Sequence, residues 1–166
     1  QLIIGPISDS LGRKKLLVGG AVIALIASVI AAMAPTIGVL ILARLLQGLG
    51  SGACVVLARA VVPDLAAGRK AAKAFSLLMT IQGIAPVAAP VVGGLLLDPI
   101  GWRGLFWVLA GINIVQLLVA VVVVRESLPK ERRTGVTVRG ILANYLYVLK
   151  NPVYRGYTFS FAFGFA

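Results

Sequence analysis

The sequence predicts an all-α membrane protein, and three observations carry that prediction. Hydrophobic residues make up 60% of the 166 positions and charged residues only 13%, where a soluble domain carries about 25% charged residues. Mean hydropathy is +1.01. The charges are clustered: none occurs from Leu16 to Ala43, from Ala74 to Leu97, or from Gly104 to Val124. Each run supplies the roughly 20 residues that cross a bilayer as a helix, whereas a buried soluble helix accounts for runs of about 10–14.

Taken in order, Gln1 to Ser8 reads as the inner end of a span. A loop, Asp9–Lys15, follows. The first complete span is Leu16–Ala34, closed by Pro35. The second, Ile37–Val62, contains Arg44 and Arg59. A polar loop, Pro63–Lys73, leads to a third span at Ala74–Leu97. Asp98 to Gly101 reads as a turn, and Trp102–Val124 as the fourth span. Residues 125–155 form a longer basic segment. In it Leu142, Tyr145, Leu146 and Leu149 follow helical spacing, which predicts an amphipathic helix on the membrane surface. Gly156–Ala166 begins a further span. The domain reading is therefore a membrane part over 1–124, a linker over 125–155 and the start of a second membrane part over 156–166. With no initiator Met and an apolar run at the C-terminal end, the sequence reads as a fragment of a longer membrane protein.

Net charge is +11. In a soluble chain that points to nucleic acid. Here the cations lie in short blocks between apolar spans, with no aromatic-and-basic recognition motif, so nucleic acid is rejected as a partner and the lipid bilayer takes its place. Three cations lie in Asp9–Lys15, three in Pro63–Lys73 and seven in 125–155, while the intervening turns hold almost none. Cations favour the cytoplasmic side, which places these loops there. The alternation supports the spans independently of hydropathy. The one cysteine, Cys54, can form no internal disulfide, and histidine is absent. No nucleophile–base pair, phosphate loop or metal constellation appears, so an enzyme is the least favoured reading, and neither a metal nor a cofactor is expected.

Arg44 is the most informative residue. A cation at depth costs several kcal/mol and faces a protein interior or a water-filled cavity. At 100° per residue, Gln47, Gly48 and Ser51 lie within about 60° of it, which gives this helix a polar, small-residue stripe. Snorkelling of Arg44 to the outer interface is the competing account, and it explains Gln47 poorly. In the third span, GIAPVAAPVVGG (Gly83 to Gly94) holds two prolines and a glycine pair that loosen and kink a membrane helix. Ser76, Thr80, Gly83, Pro90 and Gly94 share a face within about 80°, and small residues there admit a close neighbour. No acidic residue lies deep in a complete span, so a proton-coupling group must lie elsewhere.

Three motifs stand in order along the chain. GPISDSLGRKK, Gly5–Lys15, resembles the loop between the second and third spans of the major facilitator superfamily, G-x-x-x-D-(R/K)-x-G-(R/K)-(R/K). ARLLQGLGSG, Ala43–Gly52, resembles the R-x-x-Q-G motif of its fourth span. APVAAPVVGG, Ala85–Gly94, resembles the fifth-span G-P-x-x-G-G motif of drug antiporters. LARAVVPDL, GWRGLFW, RESLPKERR and NPVYRGY look like the bicyclomycin/chloramphenicol-resistance (Bcr/CflA-type) efflux branch.

The resemblance implies a twelve-helix transporter, here from the end of the second span to the start of the seventh. It implies two six-helix halves rocking about a central site, multidrug export driven by proton entry across the bacterial inner membrane, and a monomer when full length. Arg44, Gln47, Gly48 and Ser51 then belong to the translocation cavity. Gly5, Asp9, Gly12, Arg13 and Lys14 belong to a cytoplasmic latch, partnered by Asp64 or Arg59. Gly83, Pro86, Pro90, Gly93 and Gly94 belong to the antiporter helix between the halves. Ser10 stands where the family has a cation, and Ala89 replaces the glycine before Pro90. A symporter or uniporter for a small metabolite, and a membrane protein that transports nothing, are the alternatives.

Overall fold

The computed structural model describes residues 4–128 and 150–164. Among them are five helices and no strand: α1 (Ile4–Leu11), α2 (Arg13–Ala32), α3 (Ile37–Leu65), α4 (Gly68–Val122) and α5 (Pro152–Gly164). Each apolar run becomes helix because backbone N–H and C=O groups have no other partner in hydrocarbon. Three of these helices are long and apolar enough to cross a membrane. α4 is long enough for two crossings, at 55 residues. It is broken at Gly101, whose φ of 67° is left-handed and open to glycine at little cost. Residues 88–96 and 105–112 line one cleft, so the two arms, 68–100 and 102–122, fold back alongside each other. Gly104 is needed there too. A Cβ on it would lie 2.6 Å from the Ile100 side chain.

Hydropathy located the spans and misplaced their ends. Asp9–Lys15 is not a loop: α1 runs to Leu11, α2 starts at Arg13, and Gly12 alone separates them, with φ 97°. Pro63–Lys73 shrinks to Ala66 and Ala67, and Pro63 lies inside α3. Asp98, Pro99 and Ile100 are still helical, so the turn is a single residue. The helix beginning the last span starts at Pro152, four residues before the expected Gly156, where Asn151 caps it by accepting from Val153 N at 3.0 Å. Helices continue past the hydrocarbon because their hydrogen bonds do not need it. The amphipathic helix expected around Leu142–Leu149 lies outside the described residues.

Within residues 4–128, α2 is central. It packs on α3 and on α4, while α3 and α4 meet little. The α2–α3 seam is built from small side chains: Gly20, Ala24 and Ala31 on one helix, Ala43, Gly50, Ala53 and Cys54 on the other, all buried. A Cβ on Gly50 would lie 2.6 Å from the Gly20 carbonyl oxygen and 2.8 Å from Ala24 N, and one on Gly20 would lie 2.9 Å from the Gly50 carbonyl oxygen. This is association by close backbone approach, which works in lipid where apolar bulk gives no driving force between helices. At one end of the seam Ala31, Ala32 and Ala43 pack on Phe106 of α4. Large side chains such as Leu45, Val87, Leu95 and Val122 point outward. On a protein in water that would be an aggregation surface; in a bilayer it faces solvent of its own kind.

Candidate functional site

Among the described residues, two groups of polar side chains join several helices. The first is at depth, where three helices meet. Arg44 donates from Nη1 to Gln47 Oε1 at 2.8 Å, one helical turn along α3. Gln47 Nε2 donates to Ser28 Oγ of α2 at 2.7 Å, and Asn113 Nδ2 of α4 donates to the same oxygen at 2.8 Å. Ser28 donates to the Ala24 carbonyl at 2.8 Å. Ser28 is 0% exposed, and Gln47 and Asn113 are 8% exposed. The Arg44 guanidinium lies 4.4 Å over the centre of the Phe106 ring, a cation–π contact. Arg44 has no carboxylate partner among the described residues. It also borders a cleft of about 500 Å³ whose other lining side chains, from Ala88 to Leu96 and Leu105 to Ile112, are apolar.

The second cluster is at the α1–α2 break. Arg13 pairs with Asp9 Oδ1 at 2.8 Å and, through Nε, with Asp64 Oδ2 at the end of α3 at 3.1 Å. It also donates to the fully buried Ser8. The same Asp64 oxygen accepts from Ser127 Oγ at 3.2 Å. Glu126 Oε1 accepts from the backbone N–H of Arg13 at 2.8 Å. Gly12, the N-cap of α2, offers no side chain, so the carboxylate of Glu126 supplies the cap from 113 residues away. An anion there also favours the helix dipole. Lys14 answers in kind, donating to the carbonyl of Val121 at the C-terminus of α4 at 2.8 Å.

The structure thus brings Arg44 to Gln47, and Asp9, Gly12, Arg13 and Lys14 to Asp64. It separates others from them. Arg59 binds Gln82 of α4 at 2.6 Å on the exposed surface, so of the two candidate partners Asp64 is the one that meets Arg13. Ser10 turns back to the Ile7 carbonyl at 2.8 Å. Gly5 sits inside α1 with open space around its Cα. Gly48 and Ser51 are exposed on α3 and do not join the polar group, because Gln47 turns toward α2. Gly83, Pro86, Pro90, Gly93 and Gly94 all lie within the helical 68–100 arm. A Cβ at any of the three glycines would meet nothing within 4 Å. Sequence reasoning missed Ser28, Asn113, Glu126 and Ser127. For the first two a signal existed: a hydroxyl and an amide inside charge-free membrane runs, each of which needs a partner.

Folded-back apolar helices joined by small-residue seams, with one unneutralised arginine at depth, define a multi-pass membrane protein. The whole chain, residues 1–166, matches the Major Facilitator Superfamily. The chain belongs to that superfamily, a family of transporters. It is 38% identical over 165 residues to an uncharacterized MFS-type transporter, YdgK, of Bacillus subtilis, covering 98% of this chain and 41% of that protein. It is 39% identical over 135 residues to the multidrug resistance protein MdtL of Escherichia coli, covering 81% of this chain and 34% of that protein. Against MdtL of Vibrio parahaemolyticus it is 40% identical over 132 residues, covering 80% and 33%. The chain therefore spans between a third and two-fifths of the length of these relatives.

Proposed function

We propose that the full-length protein containing this chain exports small hydrophobic or amphipathic drug-like molecules in exchange for protons, as a monomeric transporter of the Bcr/CflA type in a bacterial inner membrane. The observation that carries this reading is Arg44: a cation at membrane depth, held by an amide and an aromatic face and bordering an apolar cleft. A charge inside a membrane span is expensive to keep, and such groups mark substrate or ion pathways. Likeness to proteins named for multidrug resistance supports the substrate class. In this reading the basic segments face the cytoplasm, and the proton gradient is the energy source, with no cofactor. Asp9, Arg13 and Asp64 hold the cytoplasmic ends of α1, α2 and α3 together in the outward-open state. The 83–94 stretch of α4 presents its open small-residue face to the other half of the transporter.

The test is transport by the purified full-length protein in liposomes with an imposed pH gradient. A fluorescent lipophilic cation such as ethidium should move against its own gradient only while the proton gradient lasts. Movement indifferent to the pH gradient would remove the coupling from the proposal.

A further inference from the structure

The deep cluster contains more polar groups than packing needs. The α2–α3 seam is already closed by Gly20, Gly50 and alanines at backbone contact, and an alanine at position 28 would fit it. Each buried polar atom there risks about 1–3 kcal/mol if it loses its partner. Ser28, Gln47 and Asn113 are nevertheless all satisfied, and by one another.

The donor and acceptor chemistry gives this group a direction. An arginine can only donate. The Gln47 atom that faces Arg44 must therefore be its oxygen, which turns the Gln47 amide nitrogen toward Ser28. Ser28 must then accept there, and its one proton goes to the Ala24 carbonyl. Its second lone pair is left for a donor, and Asn113 supplies one. A hydroxyl has one proton and two lone pairs, and Ser28 uses all three.

We propose that Ser28 and Asn113 are positioning residues for Arg44: they lock the Gln47 amide in the one orientation that pins the guanidinium over Phe106 at the edge of the cleft. The inference rests on the transport role given to Arg44, but the pinning itself can be read without transport. Without Ser28 the Gln47 amide is free to turn its nitrogen toward Arg44, donor against donor, and the guanidinium leaves the ring.

The experiment uses the full-length protein in detergent micelles with ¹⁵N-labelled arginine. The Arg44 Nε line is identified by its loss in Arg44→Lys, and its ring-current displacement by the change in Phe106→Leu. Ser28→Ala should move the line toward its Phe106→Leu position, and Asn113→Leu should move it the same way but less. In a Gln47→Glu background Ser28→Ala should leave the line in place, because a carboxylate presents only acceptors to Arg44 whichever way it turns. Glue between helices without positioning predicts no movement of the line in either single variant. A line unmoved in Ser28→Ala, or moved equally in the Gln47→Glu background, overturns the proposal. In liposomes Ser28→Ala should slow ethidium export about tenfold, the scale of one lost hydrogen bond. If the line moves and export does not, the positioning stands and the transport role of Arg44 falls.

Discussion

The two arginines at the centres of the polar clusters are held in opposite ways. Arg13 lies where α1, α2 and α3 end and is met by two carboxylates, Asp9 and Asp64. Arg44 lies at depth and is met by none among the described residues; an amide oxygen and a ring face hold it instead. The first arrangement spends the arginine's charge on joining helices. The second fixes the position of the side chain and leaves the charge uncancelled. A cation used as a bolt and a cation kept for chemistry therefore look different in their partners, and in their cover: the Arg13 side chain is 11% exposed, whereas Arg44 is open along the cleft.

Substitutions can break that comparison. The largest effect is expected at Arg44. Arg44→Ala should abolish gradient-driven dye export while the purified protein keeps its unfolding temperature within a few degrees, since one hydrogen bond to the Gln47 amide oxygen and one ring contact are lost. Export at the wild-type rate would make Arg44 a bolt as well. Gly50→Val comes next, acting on stability rather than charge. Its Cβ meets backbone atoms that cannot step aside, and overpacking of this kind costs about 1–3 kcal/mol or more, visible as a lowered unfolding temperature and yield.

At the inner cluster, Asp64→Asn should outweigh Asp9→Asn. Asp64 is 20% exposed and serves both Arg13 and Ser127, whereas Asp9 is 44% exposed and forms an i,i+4 pair. The first should cost about 1–2 kcal/mol as a weakened charge-assisted bond. The second should cost about 0.3–0.5 kcal/mol, measured by thermal unfolding in low and high salt. Arg59→Gln should be the smallest change, within about 0.5 kcal/mol for a surface substitution. A loss at Arg59 equal to that at Asp64 would mean the inner cluster extends beyond the Arg13 contacts.

The spans were legible because charge-free length is a direct consequence of bilayer thickness. Their ends were not, because hydropathy reports where the lipid stops and the helix does not stop there; Asp9 and Asp98 remain helical while sitting outside the apolar runs. The Arg44–Gln47 contact could be read from i,i+3 spacing alone. The rest of that cluster could not, since Ser28 and Asn113 reach Gln47 and Ser28 across 19 and 85 residues of sequence, and nothing local fixes which face of α2 meets which face of α4. Counting charges also hid them: both are neutral. From the sequence Asp64 and Arg59 were both open as partners of the Asp9–Arg13 latch, and the structure brings Asp64 to Arg13 while Arg59 meets Gln82. Gly12 was legible as part of a loop, while Glu126 as the cap that follows it was not.

That cap has a consequence in time. A chain emerging from the ribosome makes Gly12 and the first turn of α2 early, yet the carboxylate that finishes the turn arrives 113 residues later. Until then the Arg13 amide lacks the carboxylate that caps it. The cap can therefore close only once the residues beyond α4 have been made, so the start of α2 depends on a part of the chain that follows three long helices.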